Sequence, residues 1–281
     1  MRRRLRAALA CVLLAVAPGA AAEGPTRIVS LAPHLTELLF AAGAGPRLVG
    51  ASEWSDHPAA ARALPRIGDA LRLDFERILA LAPDLVVAWE SGTPVTNVRR
   101  LESLGLRVIS LRVETLEDIP RAIEQLGEIA GTSAEARLAA AALRRGLAEL
   151  AQEFAGRRPV DVFVQIDEQP LFTVTGRHLI SDLLALCGGR NVFAELPGVA
   201  PAVDLEAVIA RNPQVILVTS ARGDPQAQWA RWRRIEAVRT GNVISVPPDE
   251  VTRATPRALA GARILCERLD QARARLAPRS P

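Results

Sequence analysis

Catalytic chemistry is hard to find in this sequence. Its three histidines, His34, His57 and His178, include no two at the spacing that puts metal ligands on one helix face. There is no GxxxxGK[ST] phosphate loop, no GxSxG nucleophile elbow and no HExxH zinc motif. A metal site would require the fold to bring His34 and His57 together, so no metal, no catalytic residue and no resident cofactor are expected. That leaves aromatic surface. With no tyrosine and 4% aromatic residues, the positions of the rings carry information. Trp54 lies in the turn-rich segment Ser52-Glu53-Trp54-Ser55-Asp56-His57-Pro58, and Trp89 follows the apolar run 85–88 directly. The carboxyl edge of an open α/β sheet, where Trp89 falls, is where such sheets hold ligands. Phe172 lies in the loop Pro170-Leu171-Phe172-Thr173. If the three rings face one cleft, they would stack on a flat apolar ligand at little entropic cost. Trp229 and Trp232, flanking Arg231, read as packing residues.

An internal repeat sets the elements that would position these rings. Residues 74–88, DFERILALAPDLVVA, align with 204–218, DLEAVIARNPQVILV. Asp74 matches Asp204, Glu76 matches Glu206 and Pro83 matches Pro213. Further matches in the same order pair Arg99–Glu102 with Arg233–Glu236 and Val108–Ser110 with Val243–Ser245. Upstream, Thr36-Glu37-Leu38-Leu39 resembles Ser181-Asp182-Leu183-Leu184. Asp74 and Asp204 are N-cap candidates, and Glu76 and Glu206 favour the positive end of the helix that follows. Pro83 and Pro213 stop those helices, and the apolar runs beyond them read as strands buried on both faces. Strands are expected at 27–31, 47–51, 85–88 and 107–111, then at 160–166, 214–219 and 242–246, with helices between them. The pattern is that of an α/β protein with two similar lobes and parallel sheets. Between the halves, the segment from Ala134 to Phe154, dense in Ala, Leu, Arg and Glu, predicts one helix about 30 Å long. The expected organisation is an export signal at 1–22, a first lobe at 23–115, a helical linker at 116–157 and a second lobe at 158–281. A cleft between lobes held by one stiff helix is the expected ligand site.

The first residues predict export. Arg2, Arg3, Arg4 and Arg6 precede an apolar run, Ala7 to Val16, too short to span a bilayer comfortably, and Ala20 and Ala22 supply the small residues of a cleavage site. Without those four arginines, 31 basic residues face 31 acidic ones, so the pI near 9.9 describes the leader and not a surface for nucleic acid. The expected location is the periplasm. Two cysteines remain after processing, Cys187 and Cys266, and they form either a disulfide, as an oxidising compartment favours, or two separate buried thiols.

The runs RIVSLAPHLTELLFAAG, ERILALAPDLVVAW, LCGGRNVF and RATPRALAGARILC resemble the periplasmic binding proteins of ABC importers for cobalamin, haem and ferric siderophores, and in particular the cobalamin-binding members. The likeness spans essentially the whole mature chain. It implies two Rossmann-like lobes joined by a single long α-helix, the class III arrangement. It implies a transported ligand, cobalamin or a related corrinoid, with haem or a ferric siderophore as the alternative. Trp54, Trp89 and Phe172 would be cleft aromatics, His34 would approach the ligand from the first lobe, and Asp249, Glu250, Val251, Thr252 and Arg253 would contact it from the second. Cys187 and Cys266 would be the family's disulfide. Glu76 and Glu206 would dock into arginine pockets on a homodimeric permease, one glutamate from each lobe of a monomeric binding protein. The sequence departs from the cobalamin binders where Ala70 and Ala200 replace expected tryptophans and where Glu250 replaces an aromatic.

Overall fold

The computed structural model describes residues 24–69, 71–219 and 223–276. The expected export segment and Ala70 lie outside them. In the first half, β1 (Ile28–Ser30), β2 (Leu48–Ala51), β3 (Leu85–Trp89) and β4 (Val108–Leu111) form a parallel sheet in the order β2-β1-β3-β4. The second half contains β5 (Val160–Gln165), a hairpin of β6 (Asp167–Glu168) and β7 (Leu171–Phe172), then β8 (Gly189–Asn191), β9 (Val215–Val218) and β10 (Val243–Ser245). Its parallel sheet runs β8-β5-β9-β10. The first strand of each half lies second from the edge, beside the second on one side and the third on the other. Both halves therefore wind the same way, as the repeat requires.

The helices of the first half are α1 (Pro33–Ala41), α2 (Phe75–Ala80), α3 (Val95–Ser103) and α4 (Asp118–Ala130), followed by α5 (Ser133–Glu153). Those of the second are α6 (Leu179–Leu186), α7 (Leu205–Arg211), α8 (Pro225–Trp229), α9 (Glu236–Arg239), α10 (Pro248–Val251) and α11 (Ala258–Leu276). The repeated aspartates cap as expected. Asp74 accepts from the Arg77 amide at 2.9 Å, and Asp204 accepts from the Ala207 amide at 2.7 Å. Past these helices Leu85–Ala88 and Val215–Val218 are wholly buried, which explains their unbroken apolar runs.

The long helix α5 joins the lobes. Its first end packs on α1 and α4, where the Thr132 hydroxyl donates to the Ala42 carbonyl at 2.6 Å rather than capping its own helix. Toward its other end Gly146 lies against α11, where an added Cβ would stand 2.5 Å from a Leu259 methyl. One contiguous apolar core runs from Ile28 in β1 through α4 and α5 to Leu269 in α11. The lobes thus share buried surface instead of merely being tethered, which opposes movement of one against the other. Cys187 and Cys266 are disulfide-bonded and tie the end of α6 to α11.

Candidate ligand site between the lobes

A cavity of about 420 Å³ opens between the two halves, within the range of small-molecule sites. Pro33, His34, Trp89, Ser91, Val113 and Glu114 line it from the first half, all at or just beyond the carboxyl ends of β1, β3 and β4. Arg177, His178, Val199, Thr252 and Arg253 contribute from the second. The sheet winding makes this location: strands that end together leave their following loops clustered at one edge.

Trp89 is held at its backbone, where its amide donates to the Thr93 hydroxyl at 3.1 Å. Its ring covers Gly92 so closely that any Cβ there would come within 1.8 Å of the indole. His34 meets Trp89 edge to face, with ring centroids 5.1 Å apart at 81°. Burial, assisted by the positive charge of Arg253, lowers the His34 pKa to about 4, so its ring is neutral at neutral pH. The His34 Nε2 is buried without a hydrogen-bond partner. His178 caps α6, its Nδ1 accepting from the Ile180 amide at 3.1 Å, and burial lowers its pKa to about 4 as well. With Nδ1 accepting, the proton of the neutral ring resides on Nε2.

Arg253 crosses the gap. Its guanidinium lies 3.1 Å from Asp249 in its own lobe, and 3.5 Å from Asp56 and 3.7 Å from Glu37 in the other. It also donates to the Trp54 carbonyl at 3.5 Å. Behind it, Arg257 forks onto both oxygens of Glu37 at 2.6 and 2.9 Å. That pair raises the Arg257 pKa further, chiefly through the hydrogen bond and also through the charge of Glu37.

The expected site residues divide on this frame. His34, Trp89, Thr252 and Arg253 share the cavity. Trp54 stands beside it, its backbone against Arg253 and its side chain outward: the residue is 75% exposed and holds φ +64°, a left-handed conformation uncommon for a bulky residue. Phe172 is partly buried on β7, bridged to Ala202, and does not line the cavity. Asp249 does not line the cavity and is ion-paired with Arg253. Glu250 has one buried carboxylate oxygen without a partner. Val251 corrects the expectation for its segment, because it is fully buried in the core and has no surface to present to a ligand. His57 is exposed on its loop; the histidine that joins His34 at the cavity is His178. No cluster of three metal-ligating residues occurs among the described residues. Glu76 and Glu206 are exposed on the first turns of α2 and α7, and neither forms an ion pair among the described residues.

Sequence reasoning missed Arg177, His178, Glu37 and Arg257. A signal for the first two was present: the register that matches Thr36–Leu39 with Ser181–Leu184 also matches Pro33 with His178 and His34 with Leu179. The loop before α6 should therefore face the gap as the loop before α1 does.

Residues 28–250 match the family model of the periplasmic binding proteins. A vitamin B12-binding protein of Vibrio parahaemolyticus is 36% identical over 249 residues, covering 88% of this chain and 90% of the relative. The crystal structure of the periplasmic vitamin B12-binding protein of Vibrio cholerae superposes with a TM-score of 0.81 at 34% identity, covering 89% of this chain and 98% of that one. A periplasmic haem-binding protein of Pseudomonas aeruginosa superposes with a TM-score of 0.75 at 26% identity, covering 86% and 91%. With two like-wound lobes, a cavity between them and relatives matched along nearly their whole length, the chain belongs to the periplasmic binding protein family.

Proposed function

We propose that the protein captures cobalamin, or a related corrinoid, between its lobes in the periplasm and delivers it unchanged to the membrane subunits of an ABC importer. The observation that carries this reading is the near full-length similarity, at 34–36% identity, to proteins named for vitamin B12 binding, together with a cavity between the lobes that Trp89 and His34 line. The export signal at 1–22 brings the chain to that compartment. A corrinoid is larger than the cavity's 420 Å³, so the ligand extends past its mouth, where Trp54 offers exposed ring surface. Trp89 takes the ring face inside, and Thr252 and Arg253 orient peripheral amides. Phe172 and Asp249 belong to the margins of the same site. Burial of the large ring supplies affinity, and the polar groups supply orientation. Glu76 and Glu206 dock, one per lobe, onto a permease built from two copies of one subunit, the monomeric binding protein presenting its pseudo-twofold to a true one.

Calorimetry of the mature protein with cyanocobalamin tests the ligand. Micromolar or tighter binding is expected, and absence of both heat and retained red colour removes cobalamin. Haem is the second reading, favoured by the neutral His34 at the cavity with an unpartnered Nε2. On that reading hemin gives a shifted Soret band that is lost in His34→Ala.

A further inference from the structure

The walls of the cavity differ in chemistry. The first lobe contributes apolar Pro33, Trp89 and Val113, polar Ser91 and the acidic Glu114, and its histidine keeps Nε2 sealed from solvent, so no cationic side chain comes from this side. The second lobe contributes donors, most of them already committed. Thr252 donates its hydroxyl to the Pro248 carbonyl at 2.8 Å, and the Arg253 guanidinium is shared among Asp249, Asp56 and Glu37. Arg177 differs. It lines the cavity, yet among the described residues its guanidinium has neither an ion pair nor a hydrogen bond; only its backbone amide is engaged, with the Thr175 hydroxyl. Beside it His178 has Nδ1 occupied by the Ile180 amide, which leaves Nε2–H as a fixed donor. The same occupancy makes His178 a poor metal ligand, since its free nitrogen carries the proton.

We propose that Arg177 and His178 form a subsite for the phosphodiester of cobalamin's nucleotide arm. The inference rests on cobalamin being the ligand. The corrin ring is fringed by uncharged amides, and the phosphodiester is the anionic group of the molecule. An uncommitted guanidinium next to a fixed N–H donor matches its two free oxygens, one held by an ion-paired bond from Arg177 and one by the neutral imidazole N–H of His178. The subsite would set which way round the ligand lies, with the ring toward Trp89 and the nucleotide arm along the second lobe.

The test compares cyanocobalamin with cobinamide, which lacks the phosphodiester and nucleotide, by calorimetry on the mature wild type, Arg177→Gln and Arg177→Lys. Arg177→Gln should weaken cyanocobalamin about tenfold or more while cobinamide changes far less. Arg177→Lys should recover part of the loss, and the wild type's preference for cyanocobalamin should shrink as salt rises. Equal losses for both ligands, or an unchanged affinity for cyanocobalamin, overturn the proposal, as does a wild type that prefers cobinamide. A wild type that binds neither corrinoid instead removes the parent reading, and the two failures are thereby told apart. Melting temperatures matching the wild type confirm that the exposed substitutions leave the fold intact.

Discussion

Glu37 is 3% exposed and its charge is met from the opposite lobe, by the fork of Arg257 and more distantly by Arg253. Breaking a buried pair from one side strands the other charge. Arg257→Met should therefore destabilise the protein by about 3 kcal/mol in urea unfolding, the lower end for such a loss because Arg257 is partly exposed. Glu37→Gln combined with Arg257→Gln should cost less than the sum of the two single changes; additivity would mean that the pair is not coupled. His34 and His178 give a pH dependence whose sign follows from their depressed values. The unfolded chain takes up protons at pH 6.5 while the folded rings wait until about 4, so stability is complete above 6.5 and declines through that window as pH falls. At about pH 5.5, where most carboxylates remain ionised, the loss is about 1 kcal/mol per histidine relative to neutral pH. Urea midpoints that stay level or rise on acidification would show that these rings are not buried neutral.

At the scale of elements, strands with continuous apolar runs and helices with aspartate caps were legible. Capping and double-sided burial are local in sequence, and the repeat doubled each signal. Gly189–Asn191 was not legible as β8: a three-residue edge strand with a glycine and two polar residues carries no periodicity and takes its place only by pairing with β5. The hairpin of β6 and β7, where the sequence predicts a loop, escapes for a related reason, since two-residue strands fall below any pattern. The disulfide closes a long loop, its cysteines separated by 79 positions in the sequence, and fastens α6 to α11 inside the core. Replacing both cysteines with serine should lower the melting temperature by an amount equivalent to at most about 4–5 kcal/mol on the chain-entropy account. A melting temperature insensitive both to this change and to reductant would argue against the bond.

For the whole molecule, the repeat extends to the contacts that join its halves. Glu37 on α1 reaches the residue before α11, and its counterpart Asp182 on α6 accepts from the Leu116 amide just before α4, at 3.0 Å. Each lobe thus holds the other's connection through the same position of the repeat, with α5 and the common core between them. A body built this way presents Glu76 and Glu206 at related points. Changing both to Arg should abolish uptake of labelled cobalamin by cells while leaving calorimetric affinity within about twofold, since neither side chain lines the cavity. A fall in affinity would assign them to the site or to the folding of α2 and α7.

Local and repeated features of the chain were enough to establish two similar α/β halves with parallel sheets, seven of their strands, the connecting helix and the edge where Trp89 would face a ligand. Those follow from patterns a few residues long: apolar runs, caps, prolines and their recurrence. Tertiary structure alone decided that His178 and not His57 shares the cavity with His34, that Val251 is core while Arg253 spans the gap, and that Glu37 is charge-paired across the lobes. Each of these depends on which loops two separate sheets bring to a shared edge. That is a question of relative placement over more than a hundred residues, and no short-range pattern encodes it.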